Sequence, residues 1–274
     1  VKYHAKIVSE KSVLRKLINV STEIAGKAYE GSDEVEDQLD NAEKRILEIA
    51  SNKTTSDYTA VGDMLFDAAN HLAQLAENKG QVTGLSTGFV DLDKLTSGLQ
   101  PSDFIILAAR PSMGKTSFAI NVATHAALKK KRIAVFSLEM SREQLAMRLL
   151  SSEALVENTR LKTGTLRETD WEKIAEAATV LNRLDVRIDD NPLLTVADMN
   201  AKCRRLDNLG LVIIDYLQLM QGSGYGKANE NRVQVVGEIS RSLKIMAKEL
   251  NVPVVCLSQL SRAVESRSDK RPIL

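Results

Sequence analysis

An α/β fold, built on a parallel sheet flanked by helices and preceded by an α-helical segment, is predicted by three observations. Short apolar runs without polar alternation recur after residue 100, each followed by a stretch of helical spacing. Such runs form strands buried on both faces, and helices between them make the strands parallel. Between the first run and its helix lies Gly114-Lys115-Thr116, the end of a phosphate-binding loop. Three of the later runs each close on a polar residue, Glu139, Asp215 or Gln259. Polar residues at strand ends collect at one edge of a parallel sheet.

The first 80 residues read as helix. Ser9 to Tyr29 carries Val13, Leu17, Val20 and Ile24 on one face, and Gly31 stops it. Ser32 or Asp33 caps a second helix, with Glu34, Glu36 and Asp37 in its first turn, where the dipole favours acids. Its stripe is Val35, Leu39, Ala42, Ile46 and Ile49. So narrow a stripe packs on a single partner surface, either another helix of this chain or a second subunit. Residues 51–58 are polar and aperiodic, a linker. A third helix, Thr59 to Asn78, is expected to turn Val61, Met64, Leu65, Ala68, Leu72 and Leu75 inward and to end at Gly80.

Beyond Gly80 the expected strands are Phe104–Ala109, Ile133–Leu138, Val186–Ile188, Leu211–Ile214 and Val252–Leu257. The expected helices are Lys115–Leu128, Ser141–Leu155, Trp171–Leu184, Val196–Leu206 and Val233–Leu250, with Trp171 as a packing residue.

Composition bounds the chemistry. The 274 residues are 43% hydrophobic and 27% charged, as in a globular protein. No run approaches the ~18 apolar residues of a membrane span, and the start lacks a signal-peptide pattern. Cys203 and Cys256 have no pairing or metal-ligand spacing, and His4, His71 and His125 stand singly. A zinc site or disulfide framework is therefore not expected, and a reducing, cytoplasmic compartment is. Net charge is +1, divided into −4 over residues 1–80 and +5 over the rest, so any nucleic-acid binding must come from a local patch.

In the loop Ala109–Ser117, backbone N–H groups and the helix N-terminus would surround a phosphate, and Gly114 lets it approach. Lys115 brings positive charge to the β- and γ-phosphates, and the Thr116 hydroxyl ligates Mg²⁺. Ala109 stands where the motif has its first glycine. A second metal carboxylate is expected from Asp215 at the end of LVII. Glu139 is the expected base for water, projecting toward the γ-phosphate if its strand neighbours the loop strand. Gln259, a neutral amide at the same edge, suits a γ-phosphate sensor. Each of the three also has a plainer reading, as a strand-end or capping residue.

The run TGLSTGFVDLDKLTSGLQPSDFIILAARPSMGKTSFA (Thr83–Ala119) closely resembles the bacterial replicative DNA helicases of the DnaB type. So do SLEMS (Ser137–Ser141), CRRL (Cys203–Leu206), IIDYLQLM (Ile213–Met220), EISRSLK (Glu238–Lys244) and LSQLSR (Leu257–Arg262), in the same order. Tyr3–Ile18 resembles the end of that family's N-terminal domain.

The resemblance implies residues 1–31 as the end of a helical collar domain, 32–58 as linker helix and linker, and 59–274 as a RecA-like P-loop motor. It implies a ring homohexamer that hydrolyses ATP with Mg²⁺ between subunits and moves 5′→3′ on single-stranded DNA, meeting a primase and a loader. Carried onto this chain, Ser112, Gly114, Lys115, Thr116 and Ser117 hold the nucleotide and Arg148 lies near it. Glu139 is then the catalytic base, Asp215 the metal carboxylate and Gln259 the sensor. The family continues past Leu274 with a DNA loop, further strands and an arginine finger, so this stretch alone is expected to bind nucleotide and hydrolyse it poorly. The stretch Asp207–Gly210 is shorter than the resemblance implies. Arg262, Arg267, Lys270 and Arg271 are either a solvated run or part of a channel lining. Competing readings are a RecA-like recombinase filament, a small-molecule kinase and an ATP-switched loader. Glu139 on a strand of its own and the lack of an arginine-rich lid weigh against the kinase.

Overall fold

Helical spacing before residue 80 and buried strands after residue 100 produce two separate units, Val1–Glu77 and Asn78–Leu274. The expected boundary between residues 58 and 59 falls inside the first unit. The computed structural model describes residues 2–30, 38, 41–42, 45–46, 61–62, 64–65, 68–70, 72, 82–217, 220 and 232–260. Most of residues 33–50, the linker 51–58, His71 and the basic run from Arg262 to Arg271 lie outside the described residues.

In the first unit, α1 spans Lys2–Glu30, a longer helix than the spacing alone predicts. Its Val13, Val20 and Ile24 are half-buried, whereas Leu17 is exposed. Glu23 pairs with Arg45, and the Gln38 side-chain amide donates to the Lys27 carbonyl at 3.4 Å. The third stripe departs from expectation. Val61, Met64, Leu65 and Leu72 are helical but 57–69% exposed. Periodicity locates an apolar face but says nothing of what covers it.

The second unit opens with α2 (Val90–Thr96), a short helix that the spacing did not reveal. Its anchor is Asp93, buried and holding three donors. Thr87 N–H and Thr87 hydroxyl reach it at 2.9 and 2.7 Å, and the Ser86 hydroxyl at 2.7 Å. Burial pushes the Asp93 pKa up, but these hydrogen bonds and one from the Gly88 backbone outweigh it, so the net shift is downward. A depressed carboxylate pKa contributes stability that is present above the unfolded value, about 4, and lost as pH falls through the folded value. Urea titrations from pH 6 downward are therefore expected to show a loss of stability below about pH 4 that shrinks in Asp93→Asn. Equal acid sensitivity in both proteins would remove this role.

Five parallel strands follow in the order β1-β5-β4-β2-β3. They are β1 (Phe104–Ala109), β2 (Arg132–Ser137), β3 (Val186–Asp189), β4 (Leu209–Asp215) and β5 (Val254–Gln259). Between them run α3 (Lys115–Leu128), α4 (Arg142–Ala154), α5 (Asn158–Thr163), α6 (Glu168–Leu181), α7 (Val196–Arg204) and α8 (Arg232–Leu250). Alternate residues of each strand serve opposite faces. Ala134, Phe136, Val212, Ile214 and Val254 pack with Met199 of α7 and Ile239, Leu243 and Met246 of α8. Ile133, Val135, Leu211, Ile213 and Val255 pack with the alanines of α3 and Leu145 of α4. Two covered faces explain why the strand sequences show no polar alternation.

Local chemistry shifts several bounds. Helix α6 begins before Trp171, because the Asp170 carboxylate accepts from Arg167 N–H at 3.0 Å and caps the first turn. Trp171 is 60% exposed and is not a packing residue. Strand β5 starts after Pro253, which donates nothing to a ladder but accepts from Val212 N–H. Cys203 and Cys256 are buried free thiols, and burial pushes each pKa up to about 12, which keeps them as unreactive thiols.

Candidate active site

Parallel strands deliver their C-terminal ends to one edge, where Asp215 ends β4 and Gln259 ends β5. Ala109 is the last residue of β1 and stands in register with Gln259, the last of β5. Ala109 therefore has ordinary strand backbone, which needs no glycine, and the departure from the loop motif costs nothing. The left-handed positions come later in the loop, at Ser112 (φ 64°) and Gly114 (φ 84°). A Cβ on Gly114 would meet no protein atom within 4 Å, so glycine is required there by the backbone and leaves open space beside it.

Gly114 is also the N-cap of α3, and among the described residues no side chain caps that helix. Its first-turn N–H groups, at Lys115, Thr116 and the exposed Ser117, thus face outward at the positive end of the dipole. Uncapped N–H groups beside a left-handed glycine are the geometry that takes a phosphate.

Asp215, which ends β4, is the centre of the site. It is 2% exposed. Its Oδ2 accepts from the Thr116 hydroxyl at 2.6 Å. Among the described residues its Oδ1 has no hydrogen-bond donor, and Lys115 Nζ lies 3.5 Å away as a counter-charge. The same ammonium sits 4.4 Å from the centroid of the Tyr216 ring. A buried carboxylate oxygen without a donor, next to a threonine hydroxyl, is a hard-oxygen pair that fits Mg²⁺.

The strand neighbour expected for Glu139 is not the one observed. Strand β2 does not adjoin β1, because β5 and β4 intervene. It adjoins β4, with Ser137 opposite Asp215, and Leu138 N–H donates to the Asp215 carbonyl at 2.7 Å. Glu139 is the next residue and is exposed. The turn that carries it is locked by buried Ser137, whose hydroxyl donates to the Met140 carbonyl and accepts from Met140 N–H, at 2.7 and 3.2 Å. Among the described residues no hydrogen bond or ion pair restrains the Glu139 carboxylate.

Arg148 lies in the middle of α4, half-buried. Among the described residues no contact joins it to Lys115, Thr116 or Asp215. Tyr216 and Ser137 were not anticipated. A serine two residues before Glu139 and an aromatic after Asp215 are the signals that could have marked them.

The arrangement has relatives. Residues 84–274 match the family model described as DnaB-like helicase C terminal domain. The chain belongs to that family. It is 50% identical over its full length to the replicative DNA helicase DnaC of Bacillus subtilis (strain 168). It is 49% identical, again over its full length, to the replicative DNA helicase DnaB of Geobacillus stearothermophilus. In both cases it spans 61% of the relative's length. Two solved structures share the fold. One, described as an ATPase domain, superposes with a TM-score of 0.74 at 34% identity, covering 80% of this chain and 77% of that one. A DnaB-like replicative helicase, described with its interactions with primase, gives 0.71 at 32% identity, covering 100% of this chain and 64% of that one. Both neighbours agree with a RecA-like parallel sheet for this DnaB-like chain.

Proposed function

We propose that the protein is an ATP-hydrolysing replicative DNA helicase. It works as a ring homohexamer that moves 5′→3′ along single-stranded DNA and unwinds the fork. The observation that carries the reading is the Lys115–Asp215–Thr116 cluster, with Glu139 one residue beyond the Leu138–Asp215 hydrogen bond. Membership of the DnaB-like family favours a helicase over a recombinase filament or a loader.

In this reading Gly114 and the first turn of α3 hold the β-phosphate, assisted by Ser112 and Ser117, while Arg148 lies near the nucleotide. Lys115 turns its charge to the β- and γ-oxygens. Thr116 and Asp215 would hold Mg²⁺, which would supply positive charge against the phosphates. Glu139 accepts a proton from the attacking water, and Gln259 registers the presence of the γ-phosphate. The likeness to a helicase structure described with primase supports a primase partner, and a loader follows from the same family. The cytoplasm is the compartment this work requires, and among the described residues no helix is long and apolar enough to cross a membrane.

The decisive experiment is strand displacement by the full-length protein on forks with either a 5′ or a 3′ tail, with electron microscopy in ATP. Closed rings and displacement from the 5′ tail are expected. Filaments, or displacement that needs only the 3′ tail, would overturn the reading.

A further inference from the structure

The ladder between β1 and β5 follows a fixed series. Even-numbered residues of β5 bond odd-numbered residues of β1, from Val254 N–H on the Asp103 carbonyl at 2.8 Å to Leu260 N–H on the Ala109 carbonyl at 3.1 Å. The next bond of a parallel ladder would run from the N–H of residue 111 to the Leu260 carbonyl. Residue 111 is proline and has no N–H. The Arg110 guanidinium takes its place, donating from Nη1 to that carbonyl at 3.0 Å in a part-buried position. Arg110 also shapes the loop through its own carbonyl, which accepts from Met113 N–H at 3.3 Å.

We infer that Arg110 is a latch coupling the nucleotide loop to the segment that starts at Leu260. Proline ends the sheet so that the loop can turn toward phosphate. A backbone bond at this point would be permanent, whereas a side-chain donor swings away by changing rotamer. The latched carbonyl directly follows Gln259, the residue assigned to sense the γ-phosphate. Loop movement on nucleotide binding is thereby passed to the chain beyond β5, and Arg110 acts as a positioning residue. This inference rests on the helicase reading for its consequence in turnover, but not for the latch itself.

The test uses the full-length protein and two measurements. The first is hydrogen exchange of a peptide covering Leu257–Leu260, with and without a non-hydrolysable ATP analogue. Nucleotide is expected to slow exchange in the wild type, and Arg110→Ala to cut that response about tenfold, the scale of one charge-assisted hydrogen bond. Arg110→Lys, with a charge and a donor of different shape, recovers part of it. Arg110→Ala combined with Pro111→Ala supplies the missing backbone N–H as a permanent bond, so the peptide is expected to exchange slowly with and without nucleotide. The second measurement is DNA-stimulated turnover, where Arg110→Ala lowers kcat about tenfold with little change in the KM for ATP. An exchange response equal in wild type and Arg110→Ala, or a double variant that without nucleotide exchanges as fast as the single, overturns the latch. Absence of DNA-stimulated turnover in the wild type counts against the helicase reading instead, and the exchange result still decides the latch.

Discussion

Glu139→Gln is expected to lower ATP turnover by about 10²–10⁴-fold, the range of a lost general base, while nucleotide affinity stays close to that of the wild type. The amide has nearly the shape of the carboxylate but accepts no proton at neutral pH. Glu139 is exposed and, among the described residues, unrestrained by an ion pair, so the substitution leaves no buried charge behind. Stability should therefore be unchanged. Steady-state hydrolysis, titration with a fluorescent nucleotide and a thermal melt together check the three statements. Hydrolysis at the wild-type rate would remove Glu139 from the chemistry. Loss of affinity in step with turnover would make it a binding residue.

Lys115→Ala is expected to fail in two ways that can be separated. Nucleotide loses its main counter-charge, so affinity falls together with turnover, by about 10²–10³ or more in turnover. The fold loses as well. Lys115 is 12% exposed and Asp215 3% by side chain, so truncating the lysine leaves a carboxylate buried without its cation. Breaking such a pair costs about 3–5 kcal/mol in other proteins. Lys115→Met with Asp215→Asn removes both charges and should recover most of that stability while remaining inactive. Urea unfolding of the wild type, the single variant and the double variant reads the stability arm. A double variant as unstable as the single one would show that the pair does not hold the site together.

Much of the site was legible because its chemistry is written in short local patterns. Gly114-Lys115-Thr116 lies between an apolar run and a helix, and both were read close to their observed bounds. Asp215 and Gln259 close their strands as expected. What could not be read was adjacency. The expectation for Glu139 depended on β2 lying beside β1, and that neighbour relation is false. Glu139 instead follows Leu138, whose N–H bonds the Asp215 carbonyl, because β2 lies beside β4 and Ser137 faces Asp215 across the ladder. The missing loop glycine looked like a defect until Ala109 proved to be a strand residue paired with Gln259. Trp171 and the stripe at Val61, Met64, Leu65 and Leu72 were read as inward and are exposed, since hydrophobicity measures a tendency to be covered and not the cover itself.

The sequence by itself determined the fold class, the place of Gly114-Lys115-Thr116 between β1 and α3, and Asp215 at the end of β4. Turn chemistry, helix spacing and the absence of polar alternation all act within a few residues along the chain. Only the tertiary structure decided the strand order, the pairing of Lys115 with Asp215, the Leu138 bond to Asp215, and the Arg110 bond to Leu260. Each of these joins residues that are neighbours only because buried strands found one packing arrangement. The energy that selects the arrangement belongs to pairs of surfaces, such as α3 on one face of the sheet and α8 on the other, and no single segment contains it.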